Sequence, residues 1–124
     1  MKAILSIKPE FANKILNGEK KFEYRKKIFK KEVESVIIYS SRPVGKLVGE
    51  FKVKNIIHDD KNIVWKKTNN LSGISHKFFN EYFNNHDKAY ALEIEDLVVY
   101  ESPIDPKTLN SNFKAPQSFC YIGK

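Results

Sequence analysis

Residues 46–57 hold the pattern that most restricts the fold. Leu47, Gly49, Phe51 and Val53 alternate with Val48, Glu50, Lys52 and Lys54, so an extended strand here turns one side to a core and the other to water. The same period recurs elsewhere. Residues 2–8 bring Ala3, Leu5 and Ile7 together, residues 20–26 set Phe22 and Tyr24 against Lys21, Glu23 and Arg25, and residues 88–100 set Tyr90, Leu92 and Ile94 against Ala91, Glu93 and Glu95. Within residues 33–41 the run Val36-Ile37-Ile38-Tyr39 reads as a strand buried on both faces, ended by Ser40-Ser41-Arg42-Pro43 and Gly45. Most links between these strands are short, which calls for a mainly antiparallel or mixed sheet. A glycine inside a strand, as at Gly49, marks a bulge or a close backbone approach.

Helical periods fill the intervals. Pro9 suits a first turn, Phe11, Ala12, Ile15 and Leu16 form one stripe, and Gly18 is a stop, which predicts a helix over 9–17. Asp60 can cap a short helix carrying Ile63, Val64 and Trp65, and Ser75 can cap another in which Phe78, Phe79, Tyr82 and Phe83 form a stripe that reads as core. Pro103 and Pro106 interrupt the chain, and residues 113–122 read as extended in part around Phe119 and Tyr121. The class is α+β: a small curled sheet or barrel with helices outside. With 124 residues, 41% of them apolar, residues 1–124 are expected to form one domain. No apolar run approaches a membrane span, and the start is too short for a signal peptide, so a cytoplasmic location is expected. The single Cys120 excludes an internal disulfide and a zinc site of several thiolates, and reads as a structural thiol. No cofactor is assigned, and the oligomeric state is left open.

The charge is concentrated. The chain carries a net +7, and residues 20–31 alone hold seven cations and one anion. Lys20, Lys21, Arg25, Lys26, Lys27, Lys30 and Lys31 interleaved with Phe22, Tyr24 and Phe29 suit a polyanion, because cations displace counterions from phosphate and rings offer stacking faces. Lys21, Lys26, Lys27, Lys30 and Lys31 are the expected phosphate contacts. The other reading is a solvated face of a lysine-rich chain. Only Arg25 and Arg42 are arginines among 22 cations, so these two mark places where a planar, forked donor matters.

Glu23 and Arg25 lie two apart on one strand and share a face. On a solvent face they form a weak pair; facing an interior they form a partly desolvated pair of functional character. Lys20 breaks the alternation and joins them only if the chain twists just after Gly18. Glu23 would then sit between two cations that favour its charged form. Such a carboxylate accepts from the amine edge of cytosine or adenine, while Lys20 or Arg25 holds a phosphate or carbonyl oxygen.

Gly18-x-Lys20-x-x-Glu23-x-Arg25 resembles the Gly-x-Lys-x-x-Glu-x-Arg signature of the ASCH domain family within the PUA-like superfamily. Leu5-Ser6-Ile7-Lys8-Pro9, Ile38-Tyr39-Ser40-Ser41-Arg42-Pro43 followed by Val48-Gly49-Glu50-Phe51, Asp87-Lys88-Ala89-Tyr90-Ala91 and Pro116-Gln117-Ser118-Phe119 are also similar to short stand-alone ASCH proteins of prokaryotes and phages. The resemblance implies a PUA-like β-barrel of about five or six mostly antiparallel strands flanked by short helices. It implies a cleft at the signature and an RNA or nucleotide-like ligand. Lys20, Glu23, Arg25, Ser40, Ser41, Arg42, Gln117 and Ser118 are the ligand-binding set it points to.

Two enzymatic readings accompany the resemblance, with Lys20 and Glu23 as the groups that would act. One branch removes the acetyl group of N4-acetylcytidine with a Lys, a Thr and a later Glu. Lys20 matches the first, Glu23 stands at the Thr position, and residues 61–80 contain no Asp or Glu. Another relative is a metal-dependent ribonuclease. His58, Asp59 and Asp60 are the candidate ligands here, and they read instead as a polar turn with a helix cap, so no metal site is expected. His58, His76 and His86 are dispersed and far from Cys120. Glu93 faces either the interior with Glu23 or water.

Overall fold

The computed structural model describes residues 1–122. The elements are β1 (Lys2–Ile7), α1 (Pro9–Leu16), β2 (Phe22–Arg25), β3 (Ser35–Ser40), β4 (Lys46–Asp60), α2 (Lys61–Thr68), α3 (His76–Tyr82), β5 (Lys88–Ile104) and β6 (Phe119–Ile122). Their order is the expected one, and the helix starts follow from local chemistry. Pro9 opens α1, the Asp60 carboxylate accepts from Asn62 N–H, and the Ser75 hydroxyl accepts from Phe78 N–H. Gly18 takes φ +87°, the turn that lets the chain leave α1 for β2.

The strands form one mixed sheet in the order β2-β5-β4-β3-β1-β6. β1 and β3 are parallel, as strands joined through an intervening helix can be, and the other pairs are antiparallel. The long β4–β5 pairing runs from Leu47 opposite Ile104 to Asp60 opposite Lys88 and slips register three times. Those slips bend the ribbon. The sheet does not close: among the described residues no ladder joins β2 to β6, so backbone pairing does not complete the barrel expected above.

Apolar side chains cover both faces. Leu5, Ile15, Ile38, Phe51 and Leu92 pack on one side with α1. Phe22, Tyr24, Val64, Phe79 and Phe83 pack on the other beneath α2 and α3. Fully burying a Phe contributes about 2–3 kcal/mol, so Phe79 and Phe83 pin α3 to the sheet. Gly49 is a close approach: a Cβ there would lie 2.7 Å from Val98 O. Trp65 is half-buried between His76 and Phe79. Cys120 is half-buried on β6. Among the described residues, no helix is long and apolar enough to cross a membrane.

Candidate functional site

The open side of the curl is a cleft of about 920 Å³. Its floor comes from β2. All four residues of that strand are buried, because one face meets α2 and α3 while the other turns inward. Lys20 is 2% exposed, Glu23 6% and Arg25 7%. Arg25 Nη1 donates to Glu23 Oε2 at 3.1 Å, and Lys20 Nζ lies 3.9 Å from Glu23 Oε1. The twist after Gly18 thus brings the three signature side chains together. Among the described residues no donor hydrogen-bonds to Oε1, which leaves an acceptor at the cleft floor.

Each charge has a holder. Lys20 Nζ donates to Ser72 O at 2.7 Å and sits 4.7 Å from the centre of the Tyr24 ring. Burial lowers its pKa from 10.5 to about 8, against the raising influence of Glu23 and with a smaller lowering from Lys14. Arg25 reaches across the open sheet: Nη1 donates to Ser6 O, and Nη2 donates to Ser118 O at 3.0 Å and Ser118 Oγ at 2.8 Å. Thr68 Oγ1 gives its one proton to Val64 O, so the Tyr24 hydroxyl is the donor in their 2.6 Å contact. Burial raises the Tyr24 pKa to about 12.

The walls are aromatic. Phe11 and Phe78 stack with centres 4.9 Å apart, and Tyr82 completes that side. The helix stripe therefore divides: Phe79 and Phe83 are core, while Phe78 and Tyr82 line the cleft. The opposite wall is the segment 105–117, held by Ser6 Oγ donating to Pro116 O at 2.6 Å. Lys8, Arg42, Lys107 and Lys114 stand among the lining residues, with Glu23 and Asp105 the acids there.

The expected ligand set is mostly assembled. Lys20, Glu23, Arg25, Ser41, Arg42 and Gln117 line the cleft. Ser118 lies behind them, bound to Arg25. Ser40 is buried outside the lining. The basic segment sits apart: Lys21, Lys26, Lys27, Lys30 and Lys31 are exposed and none lines the cleft. Lys26 approaches it, with Nζ 4.6 Å from the Tyr82 ring centre. The Tyr121 hydroxyl accepts from Lys30 and Lys31 N–H, which fixes the segment beside β6. Lys107 and Lys114 are distant in sequence from the signature, and their place near Pro106 and Pro116 is the only local signal for them.

The remaining polar candidates are otherwise engaged. Asp59 Oδ1 accepts from Asp60 N–H, Asp60 caps α2, and His58 stacks on Tyr90 at 4.0 Å. Among the described residues no three His, Cys, Asp or Glu are grouped to hold a metal ion. Glu93 pairs with Phe22 in the ladder, so it does not share Glu23's face, and it accepts from Asn55 Nδ2.

A mixed, curled sheet with flanking helices and a cleft at the signature is a PUA-like α+β domain. The ASCH domain family profile matches residues 5–98, and the chain belongs to that family. It is 31% identical to the ASCH domain-containing ribonuclease of Zymomonas mobilis, over 98% of this chain and 84% of that protein. The crystal structure of ASCH from Zymomonas mobilis superposes with a TM-score of 0.92 at 30% identity, covering 99% of this chain and 88% of that one. The ATP synthase subunit alpha of Ureaplasma parvum is 35% identical over 96% of this chain, which spans only 15% of that protein.

Proposed function

We propose that the protein binds single-stranded RNA, taking a base into the cleft. One observation carries the reading: Glu23 Oε1 is an open acceptor on the floor of an aromatic-walled cleft that cations surround. The carboxylate accepts from an exocyclic amine, the rings of Phe11, Phe78 and Tyr82 contact the base, and Lys20 or Arg25 faces a carbonyl oxygen. Ser41 and Gln117 add a hydroxyl and an amide. Arg42, Lys8, Lys107 and Lys114 hold phosphates. The strand continues past Tyr82 and Lys26 onto Lys27, Lys30 and Lys31. The 31% identity to a protein named as a ribonuclease supports RNA as the ligand class.

The test is fluorescence anisotropy with labelled single-stranded RNA across a salt series. Affinity falls with salt, and each neutralised phosphate contact makes the log–log slope shallower by about 0.7. Glu23→Gln weakens binding at least tenfold at every salt concentration. Unchanged affinity in that variant, or binding indifferent to salt, overturns the reading.

A second reading, RNA cleavage, is favoured by Lys20. It lies on the cleft floor with its Nζ 3.9 Å from Glu23 Oε1, and burial lowers its pKa to about 8, which makes it a proton donor of near-neutral strength there. Labelled RNA is cut by the wild type, and Lys20→Met loses cutting by a far larger factor than it loses binding. Intact RNA after incubation with and without divalent ions removes this reading and leaves the binding one. Deacylation of N4-acetylcytidine fits less well, because a carboxylate paired with Arg25 stands at position 23 in place of a hydroxyl.

A further inference from the structure

We propose that the free edge of β5 between Glu95 and Glu101 is a docking site for an extended basic peptide segment of a partner protein. β2 pairs with β5 only from Tyr90 to Glu93, and the last contact is Ile94 N–H donating to Lys21 O. Beyond it β5 has β4 on one side alone. Among the described residues, no backbone hydrogen bond from 95–101 goes anywhere but to the β4 ladder. Unpaired strand groups of this kind are a template for another strand.

The side chains fit such an occupant. Val98 and Val99 are 54% and 52% exposed. Neighbours on a strand point to opposite faces, so this edge of the sheet carries exposed apolar surface on both of its faces. The charge is anomalous for this chain: residues 89–106 contain five acids, Glu93, Glu95, Asp96, Glu101 and Asp105, and no Lys or Arg, in a protein of net charge +7. Among the described residues none of Glu95, Asp96 and Glu101 has an ion-pair partner within 4.0 Å. Lys52 faces Glu95 across the ladder without reaching it. The edge therefore offers main-chain groups, two valines and unneutralised carboxylates, and its complement is an extended chain alternating cations with apolar residues.

A second copy of the protein is the wrong occupant. Antiparallel pairing about an axis at Val98 sets Glu95 opposite Glu101. An axis between Val98 and Val99 sets Asp96 opposite Glu101. Both registers place carboxylates face to face, which is destabilising.

The probe is a synthetic heptapeptide alternating lysine and valine, titrated into the full isotope-labelled chain and followed by backbone amide shifts. The expected shifts concentrate at 95–101 and at the facing residues of β4. A glutamate–valine peptide of the same pattern produces none. The double variant Glu95→Lys, Glu101→Lys weakens the lysine peptide at least tenfold while its RNA binding stays within a factor of two. A circular dichroism spectrum like the wild type's shows that these exposed changes leave the fold intact. No shifts at millimolar peptide, or shifts centred on the cleft, overturn the proposal. So does a sedimenting dimer that Val99→Lys dissociates, because the occupant is then a second copy.

Discussion

Replacing Lys20 with methionine separates the cost of its charge from the packing of its stem. The side chain is 2% exposed, and burial lowers its pKa from 10.5 to about 8. Below about pH 8 the ammonium is charged in both folded and unfolded chains, and the folded chain bears the whole desolvation cost. Between about 8 and 10.5 the unfolded chain binds the proton and the folded chain does not, so stability rises with pH by about 1.4 kcal/mol per unit. The full interval amounts to about 3 kcal/mol. Methionine has a similar stem and no proton to lose. It also forfeits the donor to Ser72 O and the cation 3.9 Å from Glu23; the attraction to Glu23 fades as Lys20 deprotonates and is already contained in the folded-state pKa of about 8. Urea unfolding of both proteins at several pH values from about 7 to 10 isolates the Lys20 contribution, since every other titration is shared and cancels in the difference. The wild type gains about 2–3 kcal/mol on the variant across that series. A difference that stays flat refutes the reasoning: Lys20 would then be solvated like a surface lysine, and the cleft floor would be wet.

Three further changes probe the scaffold. Gly73→Ala places a Cβ 2.6 Å from Lys20 Cβ at φ +70°, so urea unfolding shows a loss of about 2–3 kcal/mol, and RNA affinity falls as Lys20 is displaced. Gly49→Ala sets a methyl 2.7 Å from Val98 O and 3.0 Å from Leu16 Cδ2; thermal unfolding shows a destabilisation of about 1–3 kcal/mol with the cleft chemistry untouched. Arg25→Lys cannot span Glu23, Ser6 O and Ser118 with one ammonium, so Ser118, just after the segment 105–117, keeps only its bond from Ser6 N–H; limited proteolysis cuts that segment faster, and stability drops by about 2–3 kcal/mol.

Much of this architecture is legible from residue patterns, because each strand and helix announces itself locally. Alternation around Phe51 and Leu92, the stripe of α1 and the caps Asp60 and Ser75 are short-range signals, and they place the elements in the right order. Boundaries are less legible. β4 runs on to Asp60 and β5 to Ile104 because each stabilises the other over a long antiparallel pairing, a tertiary effect that local alternation does not carry. The cleft is the least legible part. The partner of Lys20 is a backbone carbonyl, Ser72 O, and any residue type supplies one. The Phe78 and Tyr82 rings share a helical stripe with Phe79 and Phe83, and only the position of α3 over the sheet edge decides which pair is covered. Lys107 and Lys114 reach the cleft through a return of the chain that has no regular period.

The unclosed sheet and the candidate site are one feature. Were β2 laddered to β1 or β6, backbone pairing would occupy the space where the cleft now lies. Instead the gap is bridged by a side chain. Ser118 O accepts both from Ser6 N–H, at 3.0 Å, and from Arg25 Nη2, also at 3.0 Å, while Ser6 O accepts from Arg25 Nη1 at 3.3 Å. The same guanidinium holds Glu23 Oε2, so the group that satisfies the open seam also orients the carboxylate on the cleft floor. A lysine ammonium is a single point and cannot reach these acceptors together; a planar fork of five donors can. That geometry accounts for one of only two arginines in a chain that otherwise takes its positive charge from lysine. The other, Arg42, lines the same cleft from the β3–β4 turn.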